Sequence, residues 1–375
     1  MNMFLKFKTK LKQKIVKNAP YHGLSKKAVV ILYTLFLRIT GKLPDIKKNI
    51  NKAIKESRPY LKRNSKKFKT LYEDVFYSCF IYGCLPKEYF SYEFNMLSHE
   101  GRSSFVTKDN KYTFYTLFNS PNYAEYLNKK TETHRKFGEF YGRDVVALID
   151  DNDFSKFCDF VAKHPKFIYK PAEDHGGNGI KIYDSTQFCS IEDLFTVLIY
   201  KGPCVVEELI KQGAKLASIH EKSINTVRFV TYRTESGEVI PQWSFLRMGS
   251  GNSITDNMSG GGISAKIDIE AGIICDYGRD YKRNKYLKHP DSGVQLIGFE
   301  LPEWDKAMEL VKKLVNTLPD VKFIGWDLAY SEKGWILVEG NSKTQCVAPQ
   351  VTSYGGMLYT YKNMRKIFNS EKGNE

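Results

Sequence analysis

The most regular pattern of apolar and polar positions lies in residues 322–341, KFIGWDLAYSEKGWILVEGN. Two runs rich in aromatic and branched residues, 323–330 and 335–338, flank the polar stretch 331–334. Alternating apolar runs on both sides of a short polar turn predict a β-hairpin.

Two acids of this hairpin are predicted to face each other. If the turn is centred on Lys333, Asp327 and Glu339 lie at equal distances from it and form a directly opposed pair. Asn341, two residues further on, points to the same face. Two carboxylates and an amide oxygen make a hard, all-oxygen set that suits Mg²⁺. The alternative is a solvated pair of acids on an exposed sheet face.

A second hairpin is predicted for residues 166–184, KFIYKPAEDHGGNGIKIYD. A short apolar strand ends at Lys170, and a second strand follows a polar loop that contains Gly176, Gly177 and Gly179. Because glycine lets backbone N–H groups approach closely, such a loop can fold over phosphates. A lone GGxG stretch is more often only a turn, and the preceding lysine favours the phosphate interpretation.

The other periodic segments alternate between helix and strand patterns. Helices are predicted at residues 128–141, 156–163, 194–200 and 304–318; strands at 204–210, 224–233, 239–247 and 263–269; and a Gly/Ser/Asn-rich loop at 250–262. The length of 375 residues allows two or three domains with a substantial core.

Charge separates the first 70 residues from the rest. They hold 20 of the 57 Lys/Arg residues and 2 of the 42 acids, a net charge of +18, so the remainder carries −3. Residues 3–18 have the spacing of a basic amphipathic helix, which either lies on an anionic membrane surface or packs on the protein with its lysines in water. The apolar run 28–37 is shorter than the roughly 20 residues that span a bilayer, and is predicted to be a buried helix, with contact to a membrane interface as the alternative.

Composition and motifs also indicate which partners and which cellular compartment to expect. The basic stretch 47–69 has no recognised nucleic-acid motif beside it, so nucleic acid is not an expected partner. No A-x-A site follows the first apolar run, so we do not expect a cleaved signal peptide. Seven cysteines without a CxxC pair favour a reducing, cytoplasmic compartment with neither a disulfide framework nor a structural zinc.

The order of these motifs resembles the ATP-grasp superfamily, above all its branch found with sugar-transfer and surface-polysaccharide biosynthesis proteins. The segments that carry the resemblance are KPAEDHGGNGI, VVEELIKQ, SINTVRFVT, LRMGSGNSITDNMSGGGISAKID and GWDLAYSEKGWILVEGN. They cover roughly residues 123–350.

The resemblance implies an α/β (α+β) fold in which two α/β lobes clamp ATP, preceded by a basic helical segment. The expected divisions are a basic, mostly helical segment at 1–70, an aromatic-rich connecting region at 71–122, an N-lobe at about 123–206, a C-lobe at about 207–350, and a C-terminal helix and tail at 351–375.

The resemblance also implies roles for the nucleotide-binding residues. Lys170 would reach the phosphates, together with Lys130 or its neighbour Lys129. The backbone of Gly176, Gly177 and Gly179 would close over the β- and γ-phosphates. The strand end would meet adenine and the ribose through Glu207, Glu208, Leu209 and Gln212.

The metal and reacting groups follow from the same resemblance. Asp327, Glu339 and Asn341 would hold Mg²⁺ between the phosphates. Arg228 would neutralise charge on the γ-phosphate or the activated substrate, unless it only caps an acidic neighbour. Asn225 would orient Arg228 or a metal-bound oxygen, unless its role is structural. The loop at 256–262 would lie by the acceptor.

The activity implied is that of an ATP-dependent carboxylate–amine ligase working through an acyl phosphate. Its substrates would be a small-molecule carboxylate and an amine or glycan acceptor, related to a cell-surface polysaccharide or its precursor. The alternatives are a phosphotransferase acting on a sugar or lipid-linked hydroxyl, and a nucleotide-binding protein without turnover. The basic segment 1–70 could hold the enzyme at the anionic inner face of the membrane.

Overall fold

The computed structural model describes residues 24–173 and 179–373; the helix predicted at 3–18 and the loop glycines Gly176 and Gly177 lie outside these ranges. The chain divides into two compact units. One contains the residues up to Thr113 with Tyr354–Tyr361, and the other contains Phe114–Ser353 with the residues from Lys362 onward.

The helices of the described chain are, in order, α1 (Leu24–Ile39), α2 (Leu43–Ser57), α3 (Lys66–Ile81), α4 (Pro86–Ser91), α5 (His99–Ser103), α6 (Lys108–Phe118), α7 (Pro121–Ala124), α8 (Lys130–Phe137), α9 (Phe154–Lys163), α10 (Ile191–Ile199), α11 (Ala214–Ala217), α12 (Trp304–Thr317), α13 (Val347–Pro349) and α14 (Leu358–Glu371). The strands are β1 (Val145–Leu148), β2 (Lys166–Pro171), β3 (Lys181–Asp184), β4 (Cys204–Glu208), β5 (Thr226–Arg233), β6 (Val239–Met248), β7 (Ile263–Asp268), β8 (Ile273–Ile274), β9 (Gly278–Arg279), β10 (Lys285–Tyr286), β11 (Phe323–Ser331) and β12 (Gly334–Asn341).

The N-terminal unit contains a buried ion pair. Asp74 of α3 pairs with Arg102 of α5 at 3.0 Å and accepts a hydrogen bond from the Tyr89 hydroxyl.

Helix α3 begins at an N-cap, where the Ser65 hydroxyl accepts the Phe68 N–H at 3.2 Å. A cap of this kind satisfies one of the backbone donors that a helix start leaves unpaired.

Helix α1 contains the apolar run predicted to be buried, and the structure corrects that prediction in part. Tyr33 and Leu37 are buried, but Ile31, Leu35 and Ile39 are 59%, 49% and 85% exposed. Residues four apart share one face of a helix, so these three form an outward apolar stripe. Across the described ranges, no helix combines the length and the apolar character needed to cross a bilayer.

The smaller sheet of the second unit has the antiparallel order β1-β4-β2-β3. Helices α9 and α10 pack on it through an apolar cluster that includes Phe157, Phe167, Leu194 and Val206. Strand β1 is absent from the sequence prediction because its four residues are too short to give a period. The predicted strand 204–210 ends earlier, at Glu208.

The larger sheet has the order β10-β9-β7-β6-β5-β11-β12, with β8 beside β7. Its central strands β5 and β11 are buried along almost their whole length. Helix α12 packs into the same core through Ala307, Val311 and Leu314. A core on one face leaves the opposite face of β5, β11 and β12 available for polar side chains.

The predicted hairpin is present, with a different turn. Ser331 pairs with Gly334, so the turn has two residues and is not centred on Lys333. A register shift between Asp327 and Leu328 then restores the opposition of Asp327 and Glu339. Such an extra residue in one strand is a β-bulge. The opposed pair is therefore confirmed, by a geometry that the sequence did not predict.

Candidate active site

A row of charged side chains crosses three neighbouring strands of the larger sheet. Arg228 of β5 pairs directly with Asp327 of β11, which pairs directly with Glu339 of β12. Directly opposed residues point to the same face of a sheet. The sheet therefore brings together three residues of which the first and the last, Arg228 and Glu339, are more than 100 positions apart in the sequence.

Asp327 is held by two arginines. The Arg228 guanidinium donates to both of its carboxylate oxygens, through Nε to Oδ1 and through Nη2 to Oδ2 at 2.8 Å. Arg247 of β6 donates from Nη1 to Oδ2 at 2.8 Å. Its Nη2 donates to Asp256 in the loop after β6 at 2.7 Å. Arg247 thus links the sheet to the loop at residues 250–262.

The pKa values of Asp327 and Glu339 are shifted in opposite directions. Burial alone would raise the pKa of Asp327, but the charges of Arg228 and Arg247 lower it to about 2. Burial and the neighbouring charge of Asp327 raise the pKa of Glu339. Two adjacent carboxylates of which one resists ionisation are stabilised by a cation placed between them.

The donor set fits Mg²⁺. A carboxylate oxygen has two lone pairs, and Oδ1 of Asp327 uses one of them for Arg228 Nε, so one remains for a cation. Asn341 donates from Nδ2 to Glu339 Oε1 at 3.1 Å, which leaves its amide oxygen as an acceptor. These hard oxygens are the ligands that Mg²⁺ prefers.

A second charged cluster lies on the smaller sheet. Glu207 Oε2 accepts hydrogen bonds from Lys170 Nζ at 2.8 Å and from Arg143 Nη2 at 2.6 Å. Burial opposes the ionisation of Glu207, yet the charges of Arg143 and Lys170 lower its pKa to about 2. Arg143 also donates to the Leu337 carbonyl of β12 at 2.8 Å, so this cluster is tied to the larger sheet.

A polar cleft joins the two clusters. Its lining residues include both predicted lysine contacts and two of the predicted metal ligands: Lys130, Lys170, Glu207, Glu339 and Asn341. Lys129, the alternative to Lys130, instead pairs with Glu125 at 2.9 Å, and its side chain is 42% exposed. The placement favours Lys130 as the lysine of the cleft.

The paired acids at the end of β4 point in opposite directions, as consecutive strand residues do. Glu207 faces the cleft, whereas Glu208 Oε2 accepts the Asp144 N–H at 3.1 Å on the other side. Leu209 follows the strand and is half-buried. Only Glu207 of the two acids therefore lines the cleft.

Gln212 and Asn225 bind backbone around a loop. Gln212 Oε1 accepts the Asn225 N–H at 2.6 Å. The Asn225 amide donates to the carbonyls of Leu216 and His220 at 2.9 and 2.8 Å. The side-chain contacts of Asn225 are thus those of a structural residue, which was the alternative to a role in orienting Arg228. Gln212 likewise holds the backbone of this loop.

Of the loop glycines, Gly179 is described and has φ +72°, a left-handed conformation that favours glycine.

Sequence reasoning missed Arg143 and Arg247 as members of the site. Arg143 precedes the unpredicted β1, and Arg247 lies one residue from the end of β6. Its position two residues past Phe245, which pairs with Arg228, is the signal that would have pointed to it.

The two antiparallel sheets, with lysines and acids lining a cleft, are the architecture expected of an ATP-grasp protein. The chain belongs to the sugar-transfer associated ATP-grasp family, whose model matches residues 99–366. The resemblance seen in the sequence is thereby confirmed and extends further at both ends, and the predicted α/β fold is confirmed with it.

The chain is also similar to solved structures of distant proteins, at low identity. D-Alanyl-alanine synthetase A from Vibrio cholerae is 10% identical, with 67% of each chain covered and a TM-score of 0.42. VanG D-Ala:D-Ser ligase from Enterococcus faecalis is 13% identical, with 66% of this chain and 64% of that chain covered and a TM-score of 0.43. N5-carboxyaminoimidazole synthetase from Staphylococcus aureus, complexed with ADP, is 10% identical, with 62% of this chain covered and a TM-score of 0.40.

This chain covers only 50% of the length of the S. aureus synthetase. No curated protein matches the chain in sequence.

Proposed function

We propose that this protein is an Mg²⁺- and ATP-dependent carboxylate–amine ligase that modifies a precursor of a cell-surface polysaccharide. The observation that carries the proposal is the row Asp327–Glu339 with Asn341, of which Glu339 and Asn341 line the same cleft as Lys130 and Lys170. The family description supports the connection with sugar transfer.

The residues of the cleft have distinct tasks in this proposal. Lys130 and Lys170 bind the nucleotide phosphates, because a lysine ammonium is a strong point-charge partner for phosphate. Asp327, Glu339 and Asn341 hold Mg²⁺, which when bound neutralises charge on the transferring phosphoryl oxygens. Glu207 positions Lys170 by accepting a hydrogen bond from its Nζ at 2.8 Å.

Arg228 and Arg247 act on the carboxylate side. Both are fixed by Asp327, and fixed cations stabilise charge that develops in a transition state without reorganising. Arg247 also holds Asp256, so the loop at 250–262 is anchored beside the reacting groups. This supports the loop as part of the acceptor site.

The reaction has two steps. The substrate carboxylate attacks the γ-phosphorus of ATP, giving an acyl phosphate and ADP. The amine then attacks the acyl carbon, the C–N bond forms, phosphate leaves and the amine loses a proton. A phosphotransferase with the same cleft would instead transfer the phosphoryl group to a hydroxyl and stop.

The test uses γ-³²P-ATP with candidate uronic acids and amines, alone and together. The ligase should release labelled inorganic phosphate in step with amide formation, only when both a carboxylate and an amine are present. Label retained on an acceptor hydroxyl would replace the ligase with the phosphotransferase. Nucleotide binding without any turnover would favour the binding-only alternative.

We also propose a cytoplasmic enzyme that contacts the anionic inner face of the membrane through residues 1–70. The support is the charge of +18 in that segment together with the exposed apolar stripe of α1. Basic residues near an anionic leaflet each contribute about 1 kcal/mol, and apolar side chains add to this by insertion.

A further inference from the structure

His220, His289 and Asp291 form a cluster made of segments that the proposed nucleotide site does not use. One ligand atom from each lies within 4.8 Å of the other two. His220 follows α11, and the other two residues belong to a tight turn after β10. That turn is closed by hydrogen bonds from His289 N to Val294 O at 2.8 Å and from Gly293 N to His289 O at 2.9 Å.

The two rings are oriented by backbone carbonyls. His289 Nε2 lies 2.8 Å from the Gly249 carbonyl, and His220 Nε2 lies 3.3 Å from the Ser253 carbonyl. A carbonyl only accepts, so both Nε2 atoms carry the hydrogen and the Nδ1 atoms keep lone pairs in the neutral rings. Histidine ligands of metals are oriented in this way by their second nitrogen.

The Nδ1 atom of His289 is a buried acceptor without a hydrogen-bond partner among the described residues, in a side chain that is 1% exposed. With its Nε2 donating to the Gly249 carbonyl, the ring offers the lone pair of Nδ1. Buried polar atoms of this kind require an explanation such as an ion.

Asp291 supplies the negative charge. Its Oδ2 lies 3.6 Å from His220 Nδ1 and accepts the Gly251 N–H at 2.7 Å. Ligand atoms of a tetrahedral zinc ion are about 3.3 Å apart, since each lies about 2.0–2.1 Å from the metal. The His220–Asp291 separation is already close to this value. The Asp291 side chain is 41% exposed, so solvent reaches the cluster.

We propose that His220, His289 and Asp291 form a second cation site, for Zn²⁺ or a similar divalent transition metal, separate from the hard-oxygen Mg²⁺ site. Two imidazoles and one carboxylate with an open position suit such metals, whereas Mg²⁺ prefers oxygen ligands alone. The metal binds Nδ1 of both histidines and a carboxylate oxygen of Asp291, with water completing the coordination.

Such a metal would fix the start of the acceptor loop. Both rings bond to carbonyls of the segment 249–253, and the same loop is held further on by the Arg247–Asp256 pair. Gly249 is packed closely against this cluster, since a Cβ there would lie 2.6 Å from His220 Cδ2. Binding of the metal is therefore expected to slow amide exchange in the loop.

The test uses the full-length protein, first stripped with a chelator and then equilibrated with Zn²⁺ in excess Mg²⁺, which occupies the oxygen site. We expect one Zn²⁺ per chain to be retained. Asp291→Asn keeps an acceptor for the Gly251 N–H but removes the charge, and should weaken retention by about 10- to 100-fold. His289→Gln should abolish it, with circular dichroism as the check on folding.

The chain offers a matched control in Asp144, His164 and Glu208, whose ligand atoms also lie within 4.8 Å of one another. There His164 Nε2 already pairs with Asp144 at 2.9 Å, so His164→Gln should retain Zn²⁺ like the wild type. Co²⁺ in place of Zn²⁺ should show intense visible bands without thiolate charge transfer.

Three results would overturn the proposal. They are no retained Zn²⁺ in the wild type, retention in Asp291→Asn equal to that of the wild type, or a thiolate charge-transfer band of bound Co²⁺ that persists in His289→Gln and so assigns the metal to cysteine. If His289→Gln does not fold, Asp291→Asn at the surface decides the question alone.

Discussion

Arg228 and Asp327 face each other across neighbouring strands, and the guanidinium of Arg228 donates to both oxygens of the Asp327 carboxylate. Both side chains are less than 10% exposed. A buried charge that loses its partner is costly, so this pair constrains which mutations can test the site.

Asp327→Asn should therefore destabilise the fold as well as stop turnover. It leaves Arg228 and Arg247 buried with a neutral partner, at a cost of about 3–5 kcal/mol. Urea unfolding would measure this loss. Wild-type stability in Asp327→Asn would show that the arginines find other partners.

Glu339→Gln is the cleaner test of the metal site. The charge of Asp327 raises the pKa of Glu339, and no arginine among the described residues donates a hydrogen bond to Glu339, so the neutral variant should be at least as stable as the wild type without Mg²⁺. It should lose Mg²⁺-dependent ATP turnover and the rise in melting temperature that Mg²⁺ gives the wild type.

Calorimetric melts with and without Mg²⁺, together with phosphate release, check the Glu339 prediction. Full activity in a folded Glu339→Gln would contradict the metal assignment.

Lys170→Met should weaken ATP binding by about 1.5–3 kcal/mol, the contribution of a hydrogen bond to a charged group. The matched control is Lys129→Met, since Lys129 pairs with Glu125 and does not line the cleft. Titration calorimetry should find its ATP affinity close to wild type. Equal affinity in both variants would mean that Lys170 only supports Glu207.

Acid stability should depend on Glu207. Its folded-state pKa of about 2 lies below its unfolded-state value near 4.5, so its contribution is complete above pH 4.5 and is lost as the pH falls toward 2. The full contribution is about 3 kcal/mol. Glu207→Gln should lose it at pH 7 and show a flatter dependence between pH 4.5 and 2.

Urea unfolding at a series of pH values measures this effect. Glu208→Gln is the control, because it removes a carboxylate from the same strand without touching Arg143 or Lys170. A loss of similar size in Glu208→Gln would argue that strand charge in general, and not the buried cluster, sets the acid stability.

Binding to anionic vesicles should require both the charge and the stripe of the N-terminal segment. Sedimentation with phosphatidylglycerol vesicles should fall in high salt, because screening weakens the lysines. It should also fall in the double variant Ile31→Ser, Leu35→Ser, but not in Tyr60→Ser, whose side chain is 74% exposed outside the stripe. No sedimentation at low salt would leave a purely structural role for the segment.

The sequence predicted the opposed acids but not what holds them. Asp327 and Glu339 belong to one hairpin, so a turn centred on Lys333 paired them in the prediction, whereas the actual two-residue turn pairs them only with the help of a β-bulge. Arg247 and Arg143 reach Asp327 and Glu207 from strands and loops far along the chain. Such contacts depend on strand order, which periodicity does not encode. The contacts of Asn225 with the Leu216 and His220 carbonyls likewise depend on the path of a loop.

The extra residue in β12 divides the hairpin into two segments that differ in register by one residue. Between the turn and the pair Leu328–Leu337, the turn sets which side chains enter the core. Beyond that pair, starting at Asp327–Glu339, the offset at Val338 also sets which side chains enter the cleft. Val338 and Glu339, although consecutive, both line the cleft. The turn and the extra residue therefore set the alignment of the carboxylates together. Adding one residue to the turn should move Glu339 out of line with Asp327, whereas deleting Val338 would remove the bulge and leave the two acids opposed.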